Sequence, residues 1–117
     1  MKNMQKTLLA TAVLMAASTS LASAAKLTFY CSAQEDWCQS MARGFEEATG
    51  IDVNMTRKSS GETFAQIKAE EANPKGDVWW GGTGDPHLQA AEEGLTEPYV
   101  SGMRGELNDW AISQAQS

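Results

Sequence analysis

Three times between residues 26 and 95 the chain runs from a short β-forming segment into a stretch with helical periodicity. The β-forming segments are Lys26–Cys31, Ile51–Thr56 and Asp77–Trp80. Strands that alternate with helices imply right-handed crossovers and a parallel sheet. The expected fold class is α/β, one parallel sheet with helices on both faces. If the chain moves to one side and then returns past its start, the first strand lies between the other two. In open parallel sheets, ligands bind in the crevice at the carboxyl ends of the strands. The loops at those ends read Ser32-Ala33-Gln34, Ser59-Ser60-Gly61-Glu62 and Gly81-Gly82-Thr83-Gly84. They offer hydroxyls, an amide and glycines, and no nucleophile–base pair. That composition points to binding rather than catalysis.

Residues 1–25 read as an export signal. Lys2 and Lys6 form a positive start, Leu8 to Ala17 is apolar, and Ala22-Ser23-Ala24 fits a small-residue cleavage site. The apolar run is about half the ~20 residues that a spanning helix needs. No cysteine stands at the cleavage point to carry a lipid, so a mature protein in solution is expected. Cleavage after Ala25 removes two of the nine basic side chains and none of the fifteen acidic ones, taking the formal charge from −6 to −8. Such an acidic chain without a basic stripe is not a nucleic-acid binder. No second long apolar run follows, so no membrane insertion is expected after cleavage. The 92 residues that remain are few for a parallel sheet covered on both faces. Residues 26–117 are accordingly expected to be the front part of a larger α/β protein.

Cys31 and Cys38 are the two cysteines, with six residues between them. An export signal predicts that they pair as a disulfide. The spacing is not that of a Cys-x-x-Cys redox site, and His87 is the single histidine, so no metal residue is assigned. The bridge would tie the end of the first strand to the start of the first helix and stiffen the loop holding Ser32 and Gln34.

Trp37, Met41, Phe45 and Ala48 recur on one helical face, which predicts that they pack into the core. Gly50 suits the left-handed position that ends this helix. Ser59 and Glu62 have the spacing of a capping box, and Phe64 and Ile67 are expected to face inward. Asp77–Trp80 reads as a buried central strand. Asp85 reads as the next helix cap with Pro86 first in the helix. Leu88, Ala91 and Leu95 share a face, Gly94 ends that helix, and residues 102–117 look helical. Trp37 and Trp110 are expected to be packing residues. His87 is expected on the surface without a partner.

Taken together, these segments resemble the periplasmic solute-binding proteins of ABC importers. The resemblance rests on Leu27-Thr28-Phe29-Tyr30, on Phe45 to Val53 (Phe-Glu-Glu-Ala-Thr-Gly-Ile-Asp-Val), on Ser59 to Glu62, on Gly76 to Trp80 and on Ala90 to Leu95. It covers Lys26 to about Val100. The branch it points to contains ferric-ion, sugar-phosphate and phosphonate binders. The resemblance implies two α/β lobes of the type II periplasmic-binding-protein class joined by a hinge, with this chain at the front of the first lobe. It implies a periplasmic location, an inner-membrane ABC permease as partner, and a monomer when full length. Ferric-ion members place a histidine after the first strand and a glutamate after the third. The corresponding positions here are near Gln34 and Gly82, and neither supplies an iron ligand.

The site expected from the loops comprises Ser32, Gln34, Ser59, Ser60, Gly61, Gly81, Gly82 and Thr83, with Trp80 stacking on an apolar or cationic part of the ligand. Hydroxyls at helix starts, with backbone N–H groups and the helix dipole, favour an anion. A phosphate ester, phosphonate or carboxylate is the expected solute, with no cofactor. Two other readings compete with it. One is a ferric-ion-binding periplasmic protein. The other is an exported hydrolase using Ser59 or Ser60, although no Gly-x-Ser-x-Gly elbow surrounds either serine.

Overall fold

The computed structural model describes residues 24–114. The export segment expected at 1–25 falls almost wholly outside them. The elements are β1 (Lys26–Cys31), α1 (Glu35–Thr49), β2 (Asp52–Arg57), α2 (Ser60–Ala69), β3 (Val78–Trp80) and α3 (Gly84–Glu92). A 3-10 turn (Arg104–Glu106) and α4 (Asp109–Gln114) follow. All three strands are parallel in the order β2-β1-β3, with Leu27 opposite Val53 and Cys31 opposite Trp80. The first strand is central, as expected for a chain that moves to one side and then returns past its start.

Alternation along β1 decides what each face of the sheet receives. Phe29 and Cys31 point to one side, where Cys38 of α1 joins them, and Ala42, Val53, Met55 and Trp80 pack around this cluster. Tyr30 points to the other side and meets α2 through Glu70 and Gln66. Trp79, also on that side, stacks on His87 of α3. One face is thus covered by α1, the other by α2 and α3. Cys31 and Cys38 form the expected disulfide, with their Cα atoms 5.8 Å apart. Both residues are fully buried.

Helix ends follow local chemistry. Gly50 takes φ 71° and donates its N–H to Glu46 O, closing α1. Ser59 caps α2 in a complete capping box with Glu62. Gly94, at φ 71°, follows α3, and the Leu95 N–H returns to Ala90 O at 2.8 Å.

Several expectations need correction. The Trp37, Met41, Phe45 and Ala48 face of α1 is not core: Trp37 is 61% exposed and Met41 49%. The disulfide turns Cys38 inward instead, and Ala42 follows it on that stripe. Trp110 is likewise exposed. In α2 the buried residue is Thr63, while Phe64 and Ile67 are half-buried. In α3 Ala90 is buried and Ala91 is exposed. That helix begins at Gly84 with Thr83 as its cap, ahead of the expected Asp85–Pro86 start. β2 is shifted by one residue. β3 is an edge strand among the described residues, with Val78 45% exposed. Asp77 stands just outside β3, where its carboxylate accepts the Thr28 N–H at 2.8 Å. The helical stretch expected over 102–117 is broken into the 3-10 turn and α4, and residues 115–117 lie outside the described ones.

Candidate functional site

The loops that leave the three strands meet. Ladder pairing continues past the strand ends: the Lys58 N–H donates to Cys31 O at 3.1 Å, and the Ser32 N–H to Trp80 O at 2.8 Å. Gly81 and Gly82 take φ 85° and 87°, a left-handed conformation that favours glycine. They are also pressed against the other two loops. A Cβ on Gly82 would lie 2.9 Å from Ser60 Oγ and 3.1 Å from Ser32 Cβ. A Cβ on Gly81 would lie 2.8 Å from Ala33 Cβ and 2.9 Å from its backbone nitrogen. Ser32, Ser60 and Gly82, one from each loop, therefore form one cluster.

The hydroxyls in this cluster are not equivalent. Ser59 Oγ donates to Glu62 Oε2 at 2.7 Å and accepts from the Glu62 N–H at 3.3 Å. It is occupied as the helix cap. The Glu62 carboxyl is held below the ordinary carboxylate range, first by that hydroxyl and then by the Ser59 backbone N–H. Ser60, half-buried, makes no side-chain hydrogen bond among the described residues. Thr83 and Gln34 sit at the N-cap positions of α3 and α1, and neither side chain makes a capping bond. The first-turn N–H groups of α2, including those of Ser60 and Gly61, lack intrahelical partners by helix geometry. With the dipole they form an anion-favouring end. α1 carries two acids in its first turn, Glu35 and Asp36, and α2 one, Glu62, which is engaged in the capping box, so α2 is the better anion end of the two. Two cations stand behind it at the end of β2. Arg57 Nε donates to Ala33 O at 3.0 Å, and Lys58 Nζ donates to Gln66 Oε1 at 2.7 Å.

The two tryptophans of β3 face opposite sides of the sheet. Trp80 packs on the core cluster, its ring 6.5 Å from that of Phe29, so it is not the ring that meets the loops. Trp79 is: its indole N–H donates to Ser32 Oγ at 3.0 Å. His87, expected to lack a partner, stacks on Trp79 with centroids 3.8 Å apart, and its Nε2 lies 2.9 Å from Gly81 O. Sequence reasoning missed this histidine. Its signal was the left-handed glycine pair, which turns a carbonyl back toward the first turn of α3. A cleft of about 920 Å³ is lined by Tyr30, Asp77, Trp79, His87, Leu95 and Tyr99 among others, but by none of Ser32, Ser60, Gly82 or Thr83. Among the described residues, no group of three or more His, Cys, Asp or Glu is placed to hold a metal ion.

The family model for bacterial extracellular solute-binding proteins matches residues 27–114. The chain belongs to this family. An uncharacterised protein from Haemophilus influenzae is 45% identical over 87 residues, covering 74% of this chain and 25% of its own. The periplasmic binding protein AfuA of Actinobacillus pleuropneumoniae, solved with exogenous fructose-6-phosphate bound, is 42% identical with a TM-score of 0.71. That match covers 74% of this chain and 27% of AfuA. The periplasmic binding protein P5PA is 35% identical with a TM-score of 0.74, over 79% of this chain and 29% of its own. Iron-bound HitA of Pseudomonas aeruginosa shares the fold at 24% identity and a TM-score of 0.64, over 71% of this chain and 27% of its own. The chain thus spans about a quarter of the length of these relatives. No helix among its described residues is long and apolar enough to cross a membrane.

Proposed function

We propose that the chain is the front of the first lobe of a two-lobe periplasmic solute-binding protein, preceded by a cleavable export signal at 1–25. The protein captures a small anionic solute, a phosphate ester, phosphonate or carboxylate, and passes it to an inner-membrane ABC permease. It works as a monomer, closes by hinge motion and catalyses no reaction. One observation carries this reading: Ser32, Ser60 and Gly82 converge at the N-terminus of α2. The Ser60 hydroxyl there is uncommitted, and N–H groups with a helix dipole favour negative charge. The phosphorylated sugar in AfuA supports the same ligand class. Ser32, Ser60, Gly61, Gly82 and Thr83 contact the anion in this proposal, and Ser59 supports them as a cap.

Calorimetry on protein purified from the periplasm tests it, with fructose-6-phosphate, phosphonates, carboxylates and Fe(III) as titrants. One of the organic anions is expected to bind. Ser60→Ala or Thr83→Ala is expected to weaken it by about ten- to a hundredfold, the worth of a hydrogen bond to a charged group. Tight Fe(III) binding with no organic anion bound overturns the ligand class in favour of the iron reading. Unchanged affinity in both variants overturns the residue assignment.

A further inference from the structure

The hydrogen bonds around Ser32 have a direction. An indole N–H only donates, so the 3.0 Å bond from Trp79 makes Ser32 Oγ an acceptor. Ser32 Oγ also lies 3.1 Å from Thr63 Oγ1. Thr63 is 1% exposed, and Ser32 is the hydrogen-bond partner of its hydroxyl among the described residues. If Ser32 were the donor in that pair, the Thr63 hydrogen would be buried without an acceptor, which is costly. Thr63 therefore donates. A serine hydroxyl has two acceptor positions and one hydrogen. Trp79 and Thr63 fill both positions, and the hydrogen is left to point out of the pair.

We propose that Trp79 and Thr63 are positioning residues that lock Ser32 as a one-way donor, so that the position facing Ser32 takes an accepting oxygen of an oxyanion over a group that must itself donate a hydrogen bond. This rests on the anionic-solute reading above and narrows it. His87 holds the device in place. Its ring stacks on Trp79 at 3.8 Å, and its Nε2 bonds Gly81 O at 2.9 Å. That second contact fixes the Gly81–Gly82 peptide. In a trans peptide the Gly82 N–H then points away from His87.

The test is a double-mutant cycle read by calorimetry with fructose-6-phosphate. Trp79→Phe keeps a ring against His87 and removes the N–H. It is expected to weaken binding by about two- to tenfold, the worth of one neutral hydrogen bond, and to cause no further loss in a Ser32→Ala background. Thr63→Val, nearly the same shape, is expected to behave the same way and decides the question if Trp79→Phe does not fold. Wild-type affinity in both variants, or an equal loss with and without Ser32, overturns the proposal. If wild-type protein binds no oxyanion of the panel, the anionic-solute reading fails in that first titration, and this inference falls with it.

Discussion

Under α1 the sheet is closed by apolar contact and one covalent bond; under α2 and α3 it is closed by hydrogen bonds. A single strand supplies both. Phe29 and Cys31 meet Cys38 and Ala42 on one side. Tyr30, on the other, donates to Glu70 Oε2 at 2.8 Å and accepts from Gln66 Nε2 at 3.1 Å. The Ser32–Thr63–Trp79 group and His87 continue this polar face into the loops. Apolar burial is non-directional and stabilises without choosing a geometry. Hydrogen bonds lose strength steeply with angle, so they fix where loops stand. The difference teaches a division of labour: α1 and the disulfide hold the chain folded, while the polar face sets the positions of the loop groups at the strand ends.

The largest effect should come from the apolar face. Replacing Cys31 and Cys38 together by Ala opens a short loop and is expected to cost about 2.5 kcal/mol, measured as a lower urea midpoint. An unchanged midpoint would break the claim that this face carries the stability. Next comes Gly81→Ala, which forces a left-handed alanine against the Ala33 backbone at 2.9 Å. Its expected cost is about 1–3 kcal/mol, with solute affinity falling alongside because the third loop must move. A variant that unfolds earlier but binds normally would separate loop position from stability.

Tyr30→Phe comes third, at about 1–1.5 kcal/mol for a buried hydroxyl bonded to a carboxylate that is itself partly solvated. Its pH signature is more specific than its size. Burial, and then the Glu70 carboxylate, hold the Tyr30 hydroxyl above its ordinary value of 10.0. A folded-state value that is raised gives stability present below pH 10, which declines as pH rises through the folded value. The Gln66 amide first, with help from Tyr30, holds Glu70 below its ordinary 4.5. That contribution is present above pH 4.5 and is lost as pH falls through the lower folded value. Tyr30→Phe should therefore flatten both the alkaline and the acid declines in denaturation midpoints across pH. A uniform offset at every pH would show that the hydroxyl matters only as packed volume.

Much of this was legible in the residues, because it follows from rules that need no tertiary knowledge. The parallel pairing follows from the alternation of strands and helices, the Cys31–Cys38 bridge from an export signal with two cysteines, and the caps from Ser59, Glu62 and Gly50. What was not legible is phase. Period-two alternation says that Trp79 and Trp80 oppose each other, not which one faces α1. The pairing of Cys31 with Trp80 decides that, and register comes from the assembled sheet. Helical periodicity in α1 has the same weakness. Trp37 and Cys38 are neighbours about 100° apart around the helix, and the bridge to Cys31 selects the stripe of Cys38. His87 was hidden for a related reason, since its partner carbonyl is placed by two left-handed glycines.

The smallest effect sharpens the comparison most. If α1 is held by Cys38 and Ala42, its outer stripe should be energetically idle in this chain. Trp37→Ser then changes the urea midpoint by no more than the roughly 0.5 kcal/mol typical of surface substitutions, although it removes the largest side chain on the helix. Ala42→Asp, a smaller change in volume, should destabilise more, because it places a charge against Val53 and Met55 in an apolar contact. Measured side by side, the two variants separate a helix anchored through its small residues from one anchored through its large ones. The reverse order, with Trp37→Ser the worse, would mean that the tryptophan stripe carries stability after all. The apolar face would then extend around α1 rather than stop at the disulfide.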